Sequence, residues 1–403
     1  MKQHINNDAI ILNALFGESG GQQECFVAIF NPDKSIRWLI PNAARSALFL
    51  TLYNNSTFKS KIKACFWLLV LKTRTEALFP NYFKRMTIPV ANESIFRSVC
   101  QESSLIDKQY AVFTGTVGAN RKIVVALKSK NDDIVYAKIP LNSDSNSLVQ
   151  NEYQALTNIN NYLKKEKSNL QVPRIELYSY STFNFTIQKG TTTSAKARVN
   201  DFSNAHAKAL WSLYLNHSNQ VYQNESIGES VSFWNIQPCH TELVPLKAEM
   251  IKLHNLLSQN NPNIVVGYAH ADFTPWNMFI DVRKELVYLY DWELSKDGVP
   301  LLFDAFHFIF QTEIVLNNND YKQVIYKIDQ AQSLHYIQKI ISTYSIDYYK
   351  YFAIYLYVNT TFYFDVYNKQ DILHYQAKNL IEAWSFVINY VCESHLILQQ
   401  SSK

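Results

Sequence analysis

One stretch constrains this chain more than any other: residues 264–295, Ile-Val-Val-Gly-Tyr-Ala-His-Ala-Asp-Phe-Thr-Pro-Trp-Asn-Met-Phe-Ile-Asp-Val-Arg-Lys-Glu-Leu-Val-Tyr-Leu-Tyr-Asp-Trp-Glu-Leu-Ser. An apolar run ends at Ala269 and predicts a strand, and Asp272 and Asn277 follow it five residues apart in a short loop. A second apolar run, Leu286 to Tyr290, predicts a strand that ends on Asp291. Two strand ends then deliver two carboxylates and an amide to one place, which makes an oxygen-rich pocket. Such a set suits Mg²⁺, a hard ion that takes one or two protein oxygens and fills its remaining positions with water and phosphate oxygens. A carboxylate beside the metal groups can also orient a hydroxyl and take its proton. An isolated Asp after a strand is usually a turn former or a helix cap, so the weight rests on the set in register.

The pattern His-x-Asp-x-x-x-x-Asn, then a strand, then Asp, resembles the catalytic and metal loops of kinases. The first loop here is His270-Ala271-Asp272-Phe273-Thr274-Pro275-Trp276-Asn277 and the second is Asp291-Trp292-Glu293. With no Arg before Asp272 and no Asp-Phe-Gly, the chain looks like the aminoglycoside phosphotransferase and choline kinase group of small-molecule kinases. That group typically has His-Gly-Asp, so Ala271 is a small departure. Gly298-Val299-Pro300-Leu301-Leu302-Phe303-Asp304-Ala305 resembles the Gly-x-Pro…Asp-Leu-Ala segment of the same group. The resemblance implies an α+β, bilobal protein-kinase-like fold, with a strand-rich ATP lobe followed by a helical lobe. It also implies roles: Asp272 as the catalytic carboxylate, His270 as a brace for its loop, Asn277 and Asp291 as Mg²⁺ ligands, and Asp304 as an organiser of backbone amides.

A lobe of that kind needs a lysine on a strand and a glutamate on the next helix. Residues 110–141 read as three strands: Tyr110 to Gly118, Lys122 to Leu127 and Ile134 to Pro140. Gly115 and Gly118 would let backbone N–H groups approach phosphates, although a hairpin turn alone also explains them. Lys138 follows two apolar positions of the third strand and resembles the kinase lysine that holds the α- and β-phosphates. Glu152, fourteen residues on at the start of a helical pattern, would pair with it. A surface ion pair is the plain alternative for these two. Arg174 to Tyr178 and Phe183 to Gln188 read as the last strands of this lobe, so Gln188 to Gly190 is the expected nucleotide hinge.

These landmarks divide the chain into an N-terminal extension, 1–105, an ATP-binding lobe, 106–190, and a helical lobe, 191–403. Within the last, Leu243, Leu246, Met250, Leu253 and Leu257 form a helical stripe of core type. An aromatic tract runs from Tyr348 to Phe364 and on to Trp384. Helix packing accounts for most of it, and in the resembling families this region also shapes the acceptor pocket. Aromatic faces stack on sugar rings or surround quaternary ammonium groups. Scattered acids, Asp347, Asp365 and Glu382, do not suit a polycationic acceptor.

With 38 basic and 34 acidic residues and a net charge of +4, composition gives no support to nucleic-acid binding. Five dispersed cysteines lack metal-ligand spacing and fit a reducing cytoplasm. Ile10 to Phe16 is too short for a secretory signal, and Ala64 to Leu71 is far below the roughly 20 apolar residues of a membrane span. The basic tract Lys59 to Arg74 encloses an aromatic-apolar centre; it reads as a buried helix with basic ends, with a membrane-surface helix as the minor alternative that would favour a lipid-linked saccharide as acceptor. The expectation is an ATP-dependent O-phosphotransferase acting on a small molecule such as a sugar, a glycan precursor or an amino alcohol. The contrasting expectation is a pseudokinase, a nucleotide-binding interaction protein that transfers nothing.

Overall fold

A computed structural model describes residues 2–18, 20–53, 58–115, 120–130, 133–163, 168–190, 196–197, 199–215, 220–222, 237–259, 264–370 and 372–394. The fold is α+β, and the chain forms two compact units: residues 1–164 with 172–194, and residues 165–171 with 195–403.

The first unit is built on one antiparallel sheet of eight strands. In chain order these are β1 (Gln22–Phe30), β2 (Ile36–Pro41), β3 (Phe83–Val90), β4 (Leu105–Phe113), β5 (Lys122–Ser129), β6 (Ile134–Pro140), β8 (Ile175–Tyr180) and β9 (Phe183–Lys189). The short β7 (Leu170–Gln171) belongs to the second unit. The spatial order β3-β1-β2-β4-β5-β6-β9-β8 joins the strands of residues 22–90 to those of 105–189 without a break. Both faces of the sheet are covered. On one, Ile11, Leu15 and Phe16 of α1 (Lys2–Phe16) and Ile95, Phe96 and Val99 of α3 (Ile95–Glu102) pack on Phe26, Leu39, Val112 and Val125. On the other, Trp67, Val70 and Leu71 of α2 (Phe58–Thr73), with Leu48 and Phe49 of a 3₁₀ turn, pack on Val27, Ile29, Trp38 and Ala111. Burial on both faces is why β1 reads as the unbroken run Phe-Val-Ala-Ile rather than alternating. Helix α2 turns Ala64, Trp67, Val70 and Leu71 inward but leaves Ile62 and Leu69 more than half exposed, so the helix expected to be buried is apolar on two faces.

The second unit is mainly helical: α5 (Asn204–Tyr214), α6 (Leu243–Gln259), α7 (Phe303–Gln311), α8 (Tyr321–Gln332), α9 (His335–Tyr344), α10 (Tyr348–Asn368) and α11 (Tyr375–Glu393). Helix α4 (Ser143–Leu163) lies in the first unit. The stripe Leu243, Leu246, Met250, Leu253 and Leu257 is fully buried. Two small sheets accompany the helices. One runs β10 (Lys196–Ala197), β13 (Met278–Asp281), β14 (Leu286–Leu289), β7; the other runs β11 (Gln220–Tyr222), β12 (Ile264–Ala269), β15 (Lys296–Pro300). Among the described residues no helix is long and apolar enough to cross a membrane.

Candidate active site

The second unit brings the loop residues together through strand ends. β12 delivers His270, Ala271 and Asp272, while β13 and β14 form a hairpin in which Met278 pairs with Leu289. The residues just beyond that pair are Asn277 and Tyr290, joined by a Tyr290 N–H to Asn277 carbonyl bond of 3.0 Å, and Asp291 is next in the chain. Asn277 Nδ2 donates to the Asp272 carboxylate at 2.7 Å and to the Asp272 carbonyl at 3.0 Å. Those bonds employ the amide nitrogen and leave Oδ1 as the end a hard cation would take. Asp272, Asn277 and Asp291 therefore lie on adjoining backbone.

The loop is held by a carboxylate beneath it. Asp304, wholly buried on the first turn of α7, accepts the backbone N–H groups of His270 (2.8 Å) and Ala271 (2.9 Å). The ordering of backbone amides expected of Asp304 is thus observed directly. Burial pushes its carboxyl upward from the ordinary range; nearby His270 and the two amides oppose that. His270 is also fully buried and engaged at both ring nitrogens. Asp272 N–H donates to Nδ1 (3.2 Å), which assigns the proton to Nε2, and Nε2 donates to the Tyr290 carbonyl (3.1 Å). Trp292 meets the His270 ring edge-on at 4.6 Å. With both nitrogens committed, His270 has the geometry of a brace.

Three non-glycine residues of this site are left-handed: Ala271 (φ 63°), Asp291 (φ 67°) and Leu302 (φ 66°). The dihedral of Ala271 gives a physical reason for the glycine of the resembling pattern, since a Cβ in this region costs roughly 1–2 kcal/mol. Asp304, through its bond to the Ala271 N–H, helps hold that conformation.

Sequence reading missed His307, one turn after Asp304. Its ring is fully buried, stacked on Phe303 (6.0 Å) and edge-on to Tyr355 (6.3 Å), with Nε2 3.6 Å from Asp272 Oδ1. Among the described residues neither ring nitrogen has a hydrogen-bond partner, an arrangement native cores rarely tolerate without a ligand or water. A lone His in an aromatic helix carries no motif; only its spacing of three from Asp304 hinted at a shared face. From the aromatic tract, Tyr363 stacks on Trp384 at 5.4 Å. Burial raises the Tyr363 phenol well above its usual range, and the Asp272 carboxylate adds to the rise, which places that ring in the field of the loop.

In the first unit, Lys138 on β6 and Glu152 on α4 form a buried ion pair, Nζ to Oε1 2.7 Å, with Glu152 inaccessible to solvent. Gly115 has φ 81°, and a Cβ there would lie 2.2 Å from the Lys122 carbonyl, so the turn itself requires glycine. Gly118 lies outside the described residues. Gln188 pairs with Tyr136 of β6 and Ile175 of β8, and the N–H groups of Lys189 and Gly190 are taken by the carbonyls of Arg174 and Ile134. What Gln188 retains is a buried side-chain amide, whose Nε2 has no hydrogen-bond partner among the described residues. Groups of three or more His, Cys, Asp or Glu fit to hold a metal are absent among the described residues, so any cation site here mixes carboxylate with amide.

No family model and no curated protein matches the chain. Solved structures similar to it are small-molecule kinases. The amicoumacin kinase hAmiN, in complex with AMP-PNP, Ca²⁺ and Ami, is 10% identical over 75% of this chain and 94% of its own, with a TM-score of 0.47. Choline kinase LicA from Streptococcus pneumoniae is 13% identical over 73% of this chain and 98% of its own, with a TM-score of 0.46. The GDP complex of aminoglycoside 2'-phosphotransferase-IIIa is 10% identical over 75% of this chain and 97% of its own, with a TM-score of 0.48. At identities this low, function has to be read from this chain's own side chains.

Proposed function

We propose that the chain is an ATP-dependent O-phosphotransferase acting on a hydroxyl of a small molecule. The observation that carries this reading is the Asp272–Asn277 bond on a loop whose amides are gripped by buried Asp304, with Asp291 one residue beyond the Asn277–Tyr290 backbone bond. Asp272 orients the acceptor hydroxyl and takes its proton. The hydroxyl oxygen forms a bond to the γ-phosphorus while the bond from that phosphorus to the bridging oxygen breaks, and ADP leaves with the electron pair. Asn277 Oδ1 and the Asp291 carboxylate are the oxygens that would hold Mg²⁺, which when bound neutralises charge on the phosphate oxygens. In the first unit, Lys138, fixed by Glu152, is the cation for the nucleotide phosphates, and Gly115 with Gly118 and Gln188 are its other nucleotide contacts. His270 keeps the loop in shape and exchanges no proton. Most of the rate then comes from positioning and preset charge, because the transfer needs little covalent help from protein.

For the acceptor, Tyr363 on Trp384 within the field of Asp272 supports a ligand with a face to stack or a cationic head, a sugar-like or amino-alcohol molecule. The test is Mg²⁺-dependent ADP release by the purified chain against a panel of sugars, glycan precursors and amino alcohols. At least one acceptor should raise release well above the rate with water, and Asp272→Asn should lower that rate by about 10³-fold, mid-range for a general base, with an unchanged circular dichroism spectrum. Binding of nucleotide with no release on any acceptor would favour the pseudokinase reading.

A further inference from the structure

The basic tract finds no use in phosphoryl transfer, yet its exposed side chains form one continuous surface. Four of the large apolar residues open to solvent sit within 21 positions: Ile62 (54% exposed), Leu69 (61%), Leu78 (73%) and Tyr82 (50%). Ile62 and Leu69 are seven apart on α2, two turns along one face. Phe66, between them, carries Phe79 at 5.0 Å and Tyr82 at 6.5 Å, so the helix and the turns leading into β3 present a single patch.

Charge surrounds it. Residues 58–90 hold seven basic side chains, Lys59, Lys61, Lys63, Lys72, Arg74, Lys84 and Arg85, all exposed, against one acid, Glu76. Glu76 is buried and already saturated by Arg45 and Arg85, so it does not offset the surface field. This short segment is more positive than the whole chain at +4. The Lys63 ammonium lies over Trp67 at 4.9 Å.

We propose that this face of the first unit docks on an anionic lipid bilayer. Exposed apolar side chains on a helix flanked by lysines match the interfacial zone, where alkyl groups enter the acyl boundary and lysine stems reach back to phosphate. The inner face of α2 stays on the sheet, so the chain lies on the surface without spanning it. Such a location would bring the chain to acceptors that are themselves lipid-linked.

Vesicle flotation of the full chain tests the proposal, with phosphatidylcholine vesicles compared with vesicles carrying a third phosphatidylglycerol. Flotation should occur with the anionic vesicles, fall at least tenfold with neutral ones, and drop steeply between low and 0.5 M salt, as expected for electrostatic attraction to an anionic surface. Ile62→Ser with Leu69→Ser, and separately Lys59→Gln, Lys61→Gln and Lys72→Gln together, should each cut the floated fraction about tenfold at an unchanged melting temperature. No flotation of the wild type overturns the proposal, as does flotation indifferent to salt and lipid charge, or retained by folded variants. Retention on polyglutamate without flotation overturns it too, and assigns the face to an acidic macromolecule.

Discussion

The two units solve the same problem, fixing a charged group in place, by different physics. In the first, regular structure does it: β6 carries Lys138, the middle of α4 carries Glu152 rather than its start as the sequence pattern suggested, and the packing of strand and helix brings them to 2.7 Å. In the second, Asp272 sits on irregular backbone whose shape is imposed from below by Asp304, and from the sides by His270 and Asn277, mostly through hydrogen bonds to main-chain atoms. A buried ion pair carries its cost in desolvation, so removing one partner strands the other. A hydrogen-bonded loop carries its cost in backbone strain, and its stability depends on amides staying satisfied.

The largest effect on stability expected from this contrast is at Lys138. Lys138→Met should lower ADP release by about 100-fold, comparable to removing one preset electrostatic group, and destabilise the first unit by about 3–5 kcal/mol because Glu152 is left buried without its cation. Lys138→Met with Glu152→Leu should recover most of the stability and none of the activity, read by urea unfolding beside turnover. Full recovery of activity in the double variant would make the pair structural.

Acid should separate the units next. His206 in α5 is fully buried, and burial lowers it from 6.5 to about 3. The unfolded chain therefore binds the proton more readily, and stability of the second unit falls as pH drops below 6.5 toward 3. Glu76 in the first unit is held at about 2, chiefly by Arg45, so its contribution, of order 3 kcal/mol, is intact above 4.5 and lost only between 4.5 and 2. Hydrogen exchange followed by peptide at pH 7, 5.5 and 4 should show α5 losing protection before β3. The reverse order would contradict these assignments.

The smallest effect is at Ala271. With φ at 63°, Ala271→Gly relieves strain and should raise the unfolding free energy by at most about 1 kcal/mol, with the gain partly offset by the freer unfolded chain. A clear loss of stability would show that the methyl group packs.

What the sequence made legible follows the same division. Local periodicity predicted the strand that bears Lys138, the strand that leads to Asp291 and the stripe on α6, since side chains alternate or recur at fixed intervals there. The Asp304 contact was legible only through the resemblance, because no local rule links residues 33 positions apart. His307 was invisible for a related reason: its importance comes from lying 3.6 Å from Asp272 across a fold, not from any spacing to it. The joining of β1 and β2 with β4 in one sheet was not legible, since register between distant strands is written in packing on both faces. Helix α2 was half read, its inward face as core and its outward face as ordinary basic ends.

The central claim is that Asp272, Asn277 and Asp291 make one cation and acceptor site. Mn²⁺ electron paramagnetic resonance in the presence of ATP addresses it most directly, comparing the wild-type chain with Asn277→Ala and Asp291→Ala. The account predicts protein-bound Mn²⁺–ATP in the wild type and at least tenfold weaker binding of the ion in each variant at unchanged secondary structure. Equal Mn²⁺ affinity in all three proteins would contradict it.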